Sequence, residues 1–87
     1  MLEIILTSNP VMESESPFTI SINANVHGDP MDIKFIGDYA RALNKQIMSL
    51  RIGDIAFITG KIRGGTILVE RFTAMGEIKA RNVNCYA

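Results

Sequence analysis

Residues 18–26 (FTISINANV) alternate strictly, with Phe18, Ile20, Ile22 and Ala24 on one parity and Thr19, Ser21, Asn23 and Asn25 on the other. A period of two predicts a strand with one face in a core and one face wet. Before it, residues 2–7 (LEIILT) predict a first strand with Leu2, Ile4 and Leu6 inward. Ile5, on the opposite parity, points to partial cover of the second face, for instance by another subunit. Ser8-Asn9-Pro10 breaks that strand, and residues 11–17, which contain Glu13, Ser14, Glu15 and Ser16, read as a polar connection. His27-Gly28-Asp29-Pro30 predicts a turn. Residues 32–36 (DIKFI) then form a third strand, with Ile33 and Phe35 inward and Asp32, Lys34 and Ile36 on the other face.

The period changes after Gly37. Asp38 is placed to cap a helix over residues 39–51, in which Tyr39, Leu43, Ile47 and Leu50 share a stripe and Arg41, Asn44, Lys45 and Ser49 face solvent. Gly53 suits the positive φ that ends a helix. Residues 55–59 (IAFIT) are apolar on both parities, as in a strand covered on both faces. Gly60 interrupts this run, which predicts a bulge or a close backbone approach. Lys61 and Arg63 follow on one side, with Ile62 on the other. Gly64-Gly65 signals a hairpin, and residues 66–74 (TILVERFTA) give the fifth strand. Met75-Gly76-Glu77 closes it, leaving residues 78–87 as a tail or a further short strand. The order β-β-β-α-β-β predicts an all-β domain over residues 1–77. It is that of the OB-fold, a five-stranded Greek-key barrel with one α-helix between strands 3 and 4.

With 87 residues the chain makes one small domain, which hides roughly 60–65% of its unfolded surface, so self-association would help it. An apolar content of 47% argues against disorder, and no apolar run reaches the roughly 20 residues a membrane helix needs. The N-terminus lacks the basic leader of a signal peptide, so the expected location is the cytoplasm, or plastid stroma or nucleoid if organellar. Cys85 and His27 are the only residues of their kinds, which leaves no set for a zinc site, a disulfide or a catalytic triad. No catalytic residue, metal or cofactor is expected. His27 reads as an exposed turn residue and Cys85 as a spare thiol. Nine cations balance nine acids, but residues 1–32 hold five acids and no cation, and the remainder has an excess of five positive charges. A basic face and an ordinary mixed surface are both compatible with that asymmetry.

Ile36-Gly37-Asp38-Tyr39-Ala40 and the run from Arg51 to Arg63 (RIGDIAFITGKIR) resemble the central part of the bacterial single-stranded DNA-binding protein family. Phe72-Thr73-Ala74-Met75-Gly76 resembles that family's closing strand, and residues 2–7 and 18–24 its first two strands. The chain is similar also to primosomal replication protein N, a dimer of the same fold without an acidic tail. The resemblance implies sequence-non-specific binding of single-stranded DNA in replication or repair, with RNA as an alternative ligand. It also implies a homo-oligomer, dimer or tetramer, assembled through first strands and outer sheet faces. The departures are large. The family stacks bases on tryptophans, and this chain has none. Val26 and Pro30 (or Met31) stand near two of those positions, and Ile36 occupies a third aromatic one. The basic finger between strands 4 and 5 is cut to Gly64-Gly65, and the family's acidic C-terminal tail is missing. Stacking contributes roughly 1–3 kcal/mol per base, so binding should be weak and largely electrostatic.

The residues expected to carry it are Lys34, Ile36, Lys61, Arg63 and Arg71. Each has a plainer reading. Lys34 can be a solvated strand cation, Lys61 and Arg63 edge protection, and Arg71 an ion-pair partner beside Glu70. Arg41 and Lys45 read as solvated. Phe18, Phe35 and Phe57 are expected in the core, Phe72 fits core or face, and Tyr39 should pack the helix on the barrel. Tyr86 could stack on a partner or on nothing. The competing function is a protein-interaction or replication-accessory barrel that has lost nucleic-acid binding. An enzyme fits least well.

Overall fold

A computed structural model of the chain describes residues 1–74; the expectations for Met75-Gly76-Glu77, Cys85, Tyr86 and residues 78–87 lie outside them. Six strands form: β1 (Leu2–Leu6), β2 (Val11–Glu15), β3 (Phe18–Val26), β4 (Asp29–Ile36), β5 (Ile55–Arg63) and β6 (Thr66–Ala74). The hydrogen-bonded order is β1-β5-β6-β4-β3-β2, and an extra β1–β3 pairing closes five of the strands into a barrel. Every pair is antiparallel except β4–β6. That is an OB-fold barrel, with β2 as an additional edge strand.

The alternation decides which side chains enter. Ile20, Ile22 and Ala24 of β3 meet Ile4 and Leu6 of β1, Ile33 and Phe35 of β4, and Ile58 and Ile67 of the β5–β6 hairpin, all essentially without solvent contact. The Phe35 and Phe72 rings meet edge to face, with centroids 5.4 Å apart, so Phe72 belongs to the core. Phe18 sits half-buried at its margin. Phe57 does not enter it. Paired with Glu3 and Thr73, it lies half-buried on the outer parity of β5, because Ala56 and Ile58 take the inward positions. Ile62 is 58% exposed, although it pairs with the buried Ile67, because the hairpin tip runs past the barrel's packed interior.

Four local expectations change. Residues 11–17 are not merely a connection, since Val11–Glu15 pairs with the first half of β3. The turn after β3 contracts to His27-Gly28, both with positive φ (53° and 85°), the pattern of a two-residue hairpin. Pro30 therefore falls within β4, beyond the stretch that pairs with β6, which begins at Asp32. The single helix becomes α1 (Asp38–Ala42) and α2 (Asn44–Met48), separated at Leu43 (φ −101°, ψ 13°). Asn44 follows this break, and its side chain type competes with helical backbone. Gly37, not Asp38, is the cap residue, with φ 79° and ψ −148°, a region essentially reserved for glycine. Asp38 is the first helical residue and offers its charge to the helix start.

α1 packs on β3 and β4, and Ala40, Ile47 and Leu50 are buried, with Tyr39 and Leu43 against the same cluster. Arg41 is exposed, yet its guanidinium carbon lies 4.9 Å from the centre of the Phe18 ring. α2 ends at Met48, before Gly53, and the Arg51 guanidinium donates to the carbonyls of Met48 and Leu50 at 2.9 and 2.7 Å. Gly53 instead belongs to a turn fastened to β1: its N–H donates to Leu6 (2.8 Å), and Leu6 N–H donates to Asp54 (3.0 Å). Among the described residues no helix is long and apolar enough to cross a membrane.

Candidate nucleic-acid interface

Residues directly paired across a ladder project to the same face. Ile33 and Ile67 pair and point inward, so their neighbours Lys34 and Leu68, which also pair, point outward. Leu68 pairs in turn with Lys61, and Ser21 of β3 pairs with Lys34. One row therefore crosses the barrel wall as Ser21, Lys34, Leu68, Lys61. The adjoining row runs Asn23, Asp32, Thr66, Arg63. Lys34 and Lys61 stand two strands apart, roughly 10 Å between backbones at the usual spacing.

The fold thus brings Lys34, Lys61 and Arg63 onto one outer surface. Ile36 shares the outer parity of β4, pairs with Thr19 and is 42% exposed. Arg71 is exposed and outward but lies past a register shift in β6, where its cross-strand neighbour is Thr59. It forms no ion pair with Glu70, which is the unpaired residue of that shift. The hairpin tip does not stand free: Asp32 N–H donates to the Gly65 carbonyl at 2.8 Å, which ties the tip to β4.

Lys34 is already engaged. Its Nζ is 2.8 Å from Glu13 Oε2, with side-chain exposures of 29% and 43%. The residue before Glu13 pairs with Ile20 and the residue after it with Thr19, leaving Glu13 as the extra residue of a bulge in β2. Val11, two residues earlier, pairs with Ser21 of the outward row, and the Glu13 carboxylate on the same face reaches Lys34 on the next strand but one. The Lys34 hydrogen bond holds the Glu13 carboxyl below its ordinary 4.5, against a smaller upward push from desolvation, with the Lys34 charge and Ser21 lowering it further. A depressed folded-state value means this pair supports the fold above the ordinary carboxylate range and stops doing so as pH falls through the depressed value. Urea midpoints of wild type and Glu13→Gln should therefore differ slightly at pH 7 and converge in acid; a gap that widens in acid contradicts the pairing.

Two shallow clefts lie side by side on this surface and share Asn23 and Asp32. The larger, about 380 Å³, is bordered by Thr7, Pro30, Met31 and Gly65, and the smaller, about 250 Å³, by Ser8, Val11, Glu13 and Ser21. Neither is lined by an aromatic ring. Of the positions near the family's tryptophans, Val26 is buried inward, Pro30 is exposed and Met31 is half-buried. The apolar contacts this surface offers are Leu68, Ile36 and Pro30, whereas Met31 pairs with inward Ala24 and packs against the core.

Glu13 and Leu68 escaped sequence reasoning. Leu68 had a signal, since Ile67-Leu68-Val69 is apolar on both parities. Glu13 had almost none, because residues 11–17 read as a connection and so offered no strand parity. No family model matches the chain, and no curated protein and no solved structure matches it either.

Proposed function

We propose that the protein binds single-stranded DNA, weakly and without sequence preference, through the outer wall of its barrel, in replication or repair. The observation that carries this reading is the convergence of Lys34, Lys61 and Arg63 on one face of β4, β6 and β5, beside half-exposed Leu68. Cations of this kind bind phosphates whatever the base, and such binding weakens steeply with salt. Among the described residues no ring stands at this face, which keeps affinity low, because each stacked base would add roughly 1–3 kcal/mol. Leu68 and Ile36 supply apolar contact in place of rings. RNA meets the same surface with the same phosphates.

The reading includes self-association as a dimer or tetramer. It is supported by Ile5, 45% exposed on the outer side of β1, paired with Ile55 and beside the Glu3–Phe57 pair of the same ladder. The same stripe favours the second reading, a protein-interaction barrel of the replication-accessory kind, if the cationic wall holds no nucleic acid.

Fluorescence polarisation of a labelled oligo-dT across a salt series separates the two. Binding in the micromolar range with a steep salt slope is expected. Combining Lys34→Ala, Lys61→Ala and Arg63→Ala should reduce the log–log slope by about 2, since each phosphate contact on a single strand contributes roughly 0.7. An unchanged slope would move the interface elsewhere, and no saturation at low salt would favour protein interaction.

A further inference from the structure

We infer that Glu13 is an internal stand-in for a phosphate, and that nucleic acid engages Lys34 by displacing the Glu13 carboxylate. This rests on the outer wall being the nucleic-acid face. Val11 pairs with Ser21, which pairs with Lys34, and Glu13, two residues further along β2, shares that outward face beside the register shift. At 2.8 Å from Lys34 Nζ, Glu13 Oε2 occupies the position a phosphate oxygen takes against an ammonium. The small cleft beside it, with Ser21 and Asn23 in its wall, is open to a strand from outside.

The exchange is easy in physical terms. Both partners are substantially solvent-exposed, and exposed pairs are weakly held. A backbone phosphate can replace the carboxylate charge for charge, and it brings a counterion release that the internal pair does not. While Glu13 stays in place, Lys34 contributes little to attraction, and Lys61 and Arg63 are the cations that first meet a strand. β2 thus limits the affinity of the wall, and a strand must compete with it. Glu15 lies on the same strand, is exposed and makes no ion pair among the described residues. It serves as a control for loss of one negative charge.

Oligo-dT binding measured on Glu13→Gln, Glu15→Gln and Glu13→Gln/Lys34→Ala tests this. At 50 mM salt Glu13→Gln should bind up to about fivefold more tightly, the release of an exposed pair worth up to about 1 kcal/mol, with a slope close to that of wild type, because Lys34 meets a phosphate in both. Glu15→Gln should change affinity by no more than about twofold, because an exposed unpaired charge is screened. Adding Lys34→Ala should abolish the gain. If wild type binds and Glu13→Gln gains no more than Glu15→Gln, the stand-in role is overturned while the nucleic-acid face survives. If Glu13→Gln binds and wild type does not, the stand-in role holds in its strongest form. If neither binds, both readings fall together.

Discussion

Phe35→Ala should lower the unfolding free energy by about 3–5 kcal/mol, the range for removing a fully buried phenyl group. Phe35 has no solvent contact, and its edge-to-face partner Phe72 would lose its neighbour across the barrel. A domain of this length has a total stability of roughly 4–13 kcal/mol, so the variant should be partly unfolded near body temperature. Phe35→Leu keeps most of the volume and should cost less than about 1.5 kcal/mol. Urea denaturation followed by circular dichroism would measure both. Equal midpoints for wild type and Phe35→Ala would mean that β4 and β6 do not face each other through this ring pair.

The prediction bears on function because Phe35 and Lys34 are adjacent in β4. The inward ring fixes the twist of the strand whose outward side presents the cation. A core that relaxes around a missing ring would let Lys34 move relative to Leu68 and Lys61, two strands away. Stability and binding should therefore fall together in Phe35→Ala, whereas Lys61→Ala should affect binding alone.

Much of this architecture could be read from the order of residues, and what escaped has physical causes. Alternation at Phe18–Val26 and the glycines at 37, 53 and 64, with the break at Gly60, were enough for barrel order, because parity, positive φ and an interrupted strand pattern are local properties. The inward set of β1, β3 and β4 followed from parity alone. The short strand Val11–Glu15 stayed hidden: an edge strand with one partner needs no apolar face, so its composition is that of a loop. Phe57 was misplaced for the opposite reason. Residues 55–59 are apolar on both parities, so hydropathy did not choose which parity faces the core, and pairing with β1 did. Of the site, Lys34, Ile36, Lys61 and Arg63 were legible as outward positions. The ion pair that occupies Lys34 was not, since it joins residues 21 apart across a bulge. Arg71, read as a candidate contact or as an ion-pair partner beside Glu70, stands exposed past the register shift and unpaired with Glu70.

Gly60→Ala should destabilise the protein by about 2–3 kcal/mol, more than its single added methyl group would suggest. A Cβ at that position would overlap the carbonyl oxygen of Leu68 and come within 3.0 Å of the Val69 Cα. Both are backbone atoms of the paired strand, so no rotamer change relieves the overlap, and β5 and β6 must part locally. The glycine stands opposite the register shift in which Glu70 is the unpaired residue. It lets the two strands press together where the hairpin bends around the barrel. Gly65→Ala is the matched control. A Cβ there meets nothing within 4 Å, and Gly65 lacks a positive φ. That substitution should stay within about 0.5 kcal/mol of wild type, with any gain coming from a stiffer unfolded chain. Urea midpoints for the pair give the comparison, and equal values would remove the close approach as the reason for a glycine at position 60. The same substitution reaches the interface, because Lys61 follows directly and Arg63 lies at the hairpin's end. Parting the strands shifts both cations away from Lys34, so oligo-dT binding by the folded fraction should weaken in Gly60→Ala and be unchanged in Gly65→Ala.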